Sequence, residues 1–312
     1  YIGDSTFHTG NFALFYTPTR HWTITATDEV RSAPSNLLSL SGGLSPGLPM
    51  ENLVGPGVSG YSYERLFMNS GAANFAYEIN RKTSVSFYGN SQVFRYETDE
   101  DSDTDAYNVG ASINRRLGRR FNATSSFMFG RYENVSGLRN DEIKRVSGGL
   151  GYQINRNWRL FGNGGVEWVD SPEFSNNPAY FSAALGRITD FSIFSAAYTK
   201  SAQYQLGTPQ LNDSHTISVS LDQRLSSKSS LVLATHFYRS KPYFMLLGES
   251  ATQNTLIAGA GFKHLLTDYI MMSANGNYQH QDRAFNIADS TSLKHLVIYA
   301  GIELIFPNVS RR

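Results

Sequence analysis

Cysteine is absent from all 312 residues, so neither disulfides nor thiolate metal sites can organise the chain. Long apolar runs are missing too. No stretch approaches the roughly 18 apolar residues that a membrane-crossing helix needs, and the mean hydropathy is −0.33. Charge is scarce and balanced, at 17% of residues with a formal net of +1, which leaves no global basic field for nucleic acid. Catalytic signatures are also lacking: Gly57 to Gly60 does not have the spacing of a nucleophile elbow, and no metalloprotease helix, P-loop or dinucleotide fingerprint occurs. The chain is therefore expected not to be an enzyme; His215, His236, His264, His280 and His295 are the candidates for a rim site, but parity sets His236, His264 and His280 on or near apolar faces at strand ends, where an interfacial histidine is the simpler account. It starts at Tyr1 without a charged and apolar leader, so it reads as a processed or truncated mature form.

Aromatics and glycine are plentiful, with 18 Tyr, 20 Phe and 27 Gly. With so few long apolar runs, only strand alternation could bury this chain in lipid. The last such segment shows it plainly: Leu296, Ile298, Ala300, Ile302, Leu304 and Phe306 fall on one face, while His295, Tyr299, Gly301 and Glu303 fall on the other.

Similar segments are joined by short turns at Thr17 to Arg20, Asn80 to Thr83, Arg115 to Arg120, Asn155 to Asn157, Arg187 to Asp190, Leu225 to Ser229 and Leu266 to Asp268. Longer polar connections alternate with them, at Ala33 to Gly60, Glu97 to Asp105, Asn134 to Asp141, Ser171 to Pro178, Gln205 to Ser214, Pro242 to Asn254 and Ala284 to Ser292. Short connections on one rim and long ones on the other predict a transmembrane antiparallel up-and-down β-barrel of about 14–16 strands. The whole of 1–312 is read as one outer-membrane domain; residues 1–10 are either periplasmic or part of the first strand, and the 33–60 loop either constricts the lumen or is an ordinary outer loop.

Facing is clearest from Trp158 to Val169, where Trp158 and Trp168 share the apolar parity. Ten residue steps at about 3.3 Å, tilted by roughly 40°, raise them about 25 Å apart, the height of an apolar band between two aromatic girdles. A soluble β-sandwich also alternates, but strands this long with Arg, Asp, Glu and Asn on the second face leave too few apolar residues for its core.

Parity puts Glu78, Arg145, Glu167, Asp222, Arg224 and Glu303 on the inner face, where they either pair or set ion selectivity. The short turns carry Arg81, Lys82, Arg115, Arg116, Arg119, Arg120 and Arg156, which either steer anions into a pore or snorkel to headgroups. Asp99, Asp101, Asp103 and Asp105 alternate in an acidic loop; they are read as solvated, or as a Ca²⁺ or Mg²⁺ contact bridging lipopolysaccharide phosphates. No other cofactor is expected. Gly162, Gly164, Ala258 and Ala260 form small-residue faces that suit either a homo-oligomer contact or local curvature.

Two units recur in style, GYQINRNWRL from Gly151 and YEINRKTSVS from Tyr77. They resemble the β-barrel porins found with exopolysaccharide production and export systems, and the resemblance extends over most of the chain. It implies an outer-membrane barrel of 14 to 18 strands that passes a polymer or small hydrophilic solutes, and it brings no catalytic motif. Outer-membrane lipid, lipopolysaccharide and a periplasmic export or scaffold protein are the expected partners, and nucleic acid is not one. The alternative is a plugged barrel that serves as an anchor, a cytochrome sheath or a surface scaffold.

Overall fold

The computed structural model describes residues 8–34, 65–97, 103–134, 140–172, 174–205, 210–243, 252–267, 270–284 and 290–304. They form one antiparallel sheet: β1 (His8–Tyr16), β2 (Trp22–Pro34), β3 (Arg65–Asn80), β4 (Thr83–Tyr96), β5 (Thr104–Arg116), β6 (Phe121–Asn134), β7 (Asn140–Gln153), β8 (Trp158–Ser171), β9 (Phe174–Asn176), β10 (Ala179–Ile188), β11 (Ser192–Gln205), β12 (Gln210–Arg224), β13 (Ser229–Pro242), β14 (Thr252–Thr267), β15 (Ile270–Ala284) and β16 (Ser290–Leu304). Each strand pairs with its neighbours in chain order, and the short β9 pairs with β8. No helix occurs among the described residues. The expected up-and-down architecture is therefore present, with short and long connections on opposite rims. Most of the 33–60 loop, from residue 35 onward, lies outside the described residues, while Ala33 and Pro34 end β2.

Turn chemistry explains the recurring Ile-Asn-Arg units. Asn80 Oδ1 accepts the Lys82 N–H at 2.9 Å, and Asn155 Oδ1 accepts the N–H groups of Asn157 and Trp158, both at 2.9 Å. An Asn side chain that mimics a backbone acceptor closes a short turn without help from a third strand. Successive turns are then tied to one another. Glu78 N–H donates to His21 O at 2.9 Å, Arg116 N–H to Lys82 O at 2.7 Å, Gln153 N–H to Arg120 O at 2.8 Å and Ile188 N–H to Asn157 O at 2.9 Å. These bonds make the tight-turn rim a continuous frame.

The two faces differ as parity predicted. On the outer face, β6, β7 and β12 run from aromatic and aliphatic residues near the tight turns to charged or titratable residues near the long connections. β6 shows Phe121, Phe127 and Phe129 before Arg131 and Glu133; β7 shows Tyr152, Leu150 and Val146 before Lys144 and Glu142; β12 shows Leu221, Val219 and Ile217 before His215 and Asp213. Ring pairs cluster at the tight-turn side, with centroids 4.7 Å apart for Trp22–Tyr77 and 4.7 Å for Phe121–Tyr152. On β16, Leu296, Ile298 and Ile302 are 67%, 75% and 71% exposed. A row of bare aliphatic side chains facing outward suits hydrocarbon and not water.

The inner face is polar and held by hydroxyl and amide contacts, such as Ser126–Ser147 at 2.7 Å and Ser195–Ser220 at 2.7 Å. Burial on this face is concentrated toward the long connections, at Phe94, Ile143, Val169 and Tyr238. At that end Ala106, Tyr132, Ile143, Val169, Ala202 and Leu211 form one buried cluster, which joins residues from β5 to β12. His236 belongs to this inner set, opposite Ser218 and buried, which corrects the parity reading that put it on an apolar face. His264 and His280 do lie on the outer face, opposite Ser229 and Leu256.

Register also explains β9. Val166 pairs with Ala179 and Val169 with Asn176, so β9 and β10 follow one unbroken register along β8 and are one wall strand interrupted at Asn177 and Pro178. Proline has no N–H for the ladder, and such a residue breaks a strand on one side. Fifteen strands then follow one another along the wall, and β1 and β16 run in the same direction. Pairing those two edges directly would make a parallel contact; no β1–β16 pairing exists among the described residues.

Candidate functional site

The end of the β10–β11 pairing creates a chemical problem that the inner face solves. The ladder between β10 and β11 ends at Phe181 and Lys200, leaving the Ala202 N–H beyond it without a strand partner. Glu167 reaches across from β8, and its Oε2 accepts that N–H at 2.6 Å. Its Oε1 accepts from Arg145 Nε at 2.7 Å, and the Arg145 guanidinium sits 4.1 Å from the centroid of the Tyr180 ring. Glu167 is 0% exposed, so the carboxylate is a structural clasp between β7, β8 and β11 and not an open lumen charge. Beside it, Val169, Ala202 and Leu211 pack together, and Phe174 meets Tyr243 with ring centroids 5.9 Å apart. Burial, followed by the nearby Asp213 and Glu167 carboxylates, pushes the Tyr243 hydroxyl above its ordinary pKa.

The other inner charges do not pool with this clasp. Glu78 lies at the tight-turn end of β3, Arg224 Nε donates to Ser226 O at 3.1 Å, and Asp222 precedes Arg224 by one inner position. Glu303 stands opposite Met271 in the β15–β16 register. Glu29 and Arg31, paired at 2.7 Å on β2, are an inner ion pair that sequence parity could have found and did not. In the acidic segment, Asp99 and Asp101 lie outside the described residues; Asp103 accepts the Tyr96 N–H at 2.7 Å, and Asp105 pairs with Arg95 at 2.7 Å.

The tight-turn rim brings most of the basic residues together. A concavity of about 440 Å³ opens there, lined by Arg81, Lys82, Arg116, Arg119, Arg120 and Arg159, with Glu78 as the one carboxylate. Arg116 and Arg159 take the inner parity of β5 and β8. Asn114, Asn122 and Gln153 complete its polar lining, and Phe161 adds a ring. Arg115 falls on the outer parity and Arg156 in the β7–β8 turn, and neither lines the concavity. Arg187, 5.5 Å from the Trp158 ring, shows what an outward rim arginine does instead. Arg159 was missed because it follows a tryptophan in a strand and not a basic turn.

A polar inner face under an apolar outer face is the arrangement of a porin wall. Residues 65–181 match the family described as "Putative beta-barrel porin 2". That stretch runs from β3 into β10 and contains every residue of the basic concavity as well as Arg145 and Glu167. No curated protein matches the chain. Among solved structures it is similar to the siderophore receptor PirA from Pseudomonas aeruginosa, with 10% identity over 95% of this chain and 68% of that one and a TM-score of 0.40. It is also similar to the FrpB iron transporter from Neisseria meningitidis, with 7% identity, 89% and 53% coverage and a TM-score of 0.49. For the siderophore receptor PiuA from Acinetobacter baumannii the values are 11% identity, 91% and 58% coverage and a TM-score of 0.44. The chain thus spans between about half and two thirds of the length of these proteins.

Proposed function

We propose that the chain works as a non-catalytic outer-membrane channel for hydrophilic solutes, with the tight turns toward the periplasm and the long connections toward the exterior. The observation that carries this reading is the two-faced wall: an apolar outer band ending in a charged collar, over an inner face of hydroxyls, amides and ion pairs. In lipid every backbone group must be satisfied within the sheet, and strand ladders do so without apolar helices. Barrels of about 16 strands leave an aqueous lumen, whereas about eight are filled by their own side chains. The collar, with pairs such as Lys144–Glu142 at 3.1 Å, suits contact with lipopolysaccharide headgroups.

The buried inner residues at the long-connection end favour a second reading, in which the lumen is closed there and the barrel serves as an anchor or scaffold. Liposome swelling separates the two. Vesicles containing folded protein should swell in small neutral sugars and progressively less as the sugar grows. Vesicles that do not swell even in a monosaccharide, with the protein folded by circular dichroism, would reject the channel and leave the scaffold.

A further inference from the structure

We infer that the basic concavity inside the tight-turn rim is a binding site for a multivalent oxyanion, one that carries at least two phosphate or carboxylate groups. The inference deepens the channel reading by naming the substrate class that its periplasmic mouth would hold. Six cationic side chains converge on about 440 Å³ with a single carboxylate among them. Among the described residues none of Arg81, Lys82, Arg116, Arg119, Arg120 or Arg159 makes an ion pair, whereas Arg31, Arg95, Arg131 and Arg145 each have an acidic partner. These four arginines on the strands are neutralised, whereas the six cations of the concavity face one another with Glu78 as the one carboxylate in its lining.

The frame that holds these cations is stiff. Arg116 N–H donates to Lys82 O at 2.7 Å and Gln153 N–H to Arg120 O at 2.8 Å, so the two turns that carry five of the cations are tied to each other and to the hairpin whose strand β8 carries Arg159. A bound anion relieves the repulsion among them. Guanidinium groups match the paired oxygens of phosphate and carboxylate, and several on one fixed frame favour a ligand with several such groups over a monovalent ion. The inner parity of Arg116 and Arg159 distinguishes this cluster from an outward rim arginine such as Arg187, which lies over the Trp158 ring. Asn114, Asn122 and Gln153 supply neutral donors and acceptors between the charges.

The test is isothermal titration of the full chain in neutral detergent with inorganic pyrophosphate and, separately, with citrate. Saturable binding near one per chain is expected, weakened at least tenfold between about 20 mM and 300 mM salt. The Arg116→Ser/Arg119→Ser/Arg120→Ser variant should lose at least tenfold in affinity, while Arg115→Ser/Arg156→Ser, outside the concavity, should keep it. Binding of pyrophosphate alone would assign a phosphate-type ligand, and binding of citrate alone a carboxylate-type one. No saturable binding of either, or equal affinity in the triple variant with its fold retained by circular dichroism, overturns the site. Because the titration needs no conduction, a silent barrel that binds rejects only the channel, and a conducting barrel that does not bind rejects only the site.

Discussion

Removing the carboxylate of Glu167 should be among the most damaging single changes in the wall. In Glu167→Ala, the Arg145 guanidinium, with its side chain 16% exposed, loses its partner, and the Ala202 N–H again has no acceptor beyond the end of the β10–β11 pairing. Breaking a buried ion pair from one side costs about 3–5 kcal/mol, and an orphaned buried N–H about 1–3 kcal/mol. The Tyr180 ring contact with the guanidinium is present in both proteins and cancels, so the loss should be roughly 4–8 kcal/mol. Glu167→Gln keeps the shape and an amide acceptor for Ala202, and should lose roughly half as much. The paired substitution Glu167→Leu/Arg145→Met should recover most of the stability, because apolar isosteres of a buried pair are often close to neutral. Urea unfolding and refolding in detergent, followed by tryptophan fluorescence, reads this directly, since Trp158 and Trp168 both lie on β8. A Glu167→Ala protein within about 0.5 kcal/mol of the parent would refute the clasp.

Three other outcomes follow from the same geometry. Tyr243 has its hydroxyl buried without a hydrogen-bond partner among the described residues and its pKa raised above the ordinary value, so its stabilising contribution is present below about pH 10 and is lost as pH rises further. Tyr243→Phe should therefore flatten the alkaline loss of stability and change neutral-pH stability by less than about 1 kcal/mol, as measured by urea unfolding at pH 7 and pH 11. At Gly165, opposite Ser147, a Cβ would run into the Val146 carbonyl of β7, so Gly165→Ala should destabilise by about 1–3 kcal/mol in the same assay, whereas Gly162→Ala, which meets nothing, should be near neutral. Glu78→Gln removes the one carboxylate of the basic concavity and should tighten pyrophosphate binding by about threefold to tenfold at low salt, read by titration.

The wall was legible because its signals are local. Alternation in steps of two and short Asn- or Ser-closed turns, at Asn80, Asn155 and Ser226, need only neighbouring residues, and six tight turns fall where the sequence places them; for the seventh, Leu266 and Thr267 belong to β14 and Asp268 lies outside the described residues. Parity likewise put Arg145 and Glu167 inside. It could not show that Glu167 is fully buried, because that depends on Ala202, which lies 35 positions along and beyond an interrupted strand. Pro178 signals the break in the strand, but not the bare donor: the Ala202 N–H lacks a strand acceptor because the β10–β11 pairing stops at Phe181 and Lys200. The basic turns could be read one by one, but their meeting in one concavity, and the entry of Arg159 in place of Arg115 and Arg156, depends on how hairpins from β3 to β8 curl together. His236 was misplaced for a related reason, since its inner position is set by the register with Ser218 and not by the apolar residues around it.

Single-channel recording in a planar bilayer, with reversal potentials in asymmetric KCl, tests the central claim most directly. The account predicts stable stepwise conductance with a reversal potential on the anion side, shifted toward cations in the Arg116→Ser/Arg119→Ser/Arg120→Ser variant. Folded, inserted protein that never conducts would contradict it.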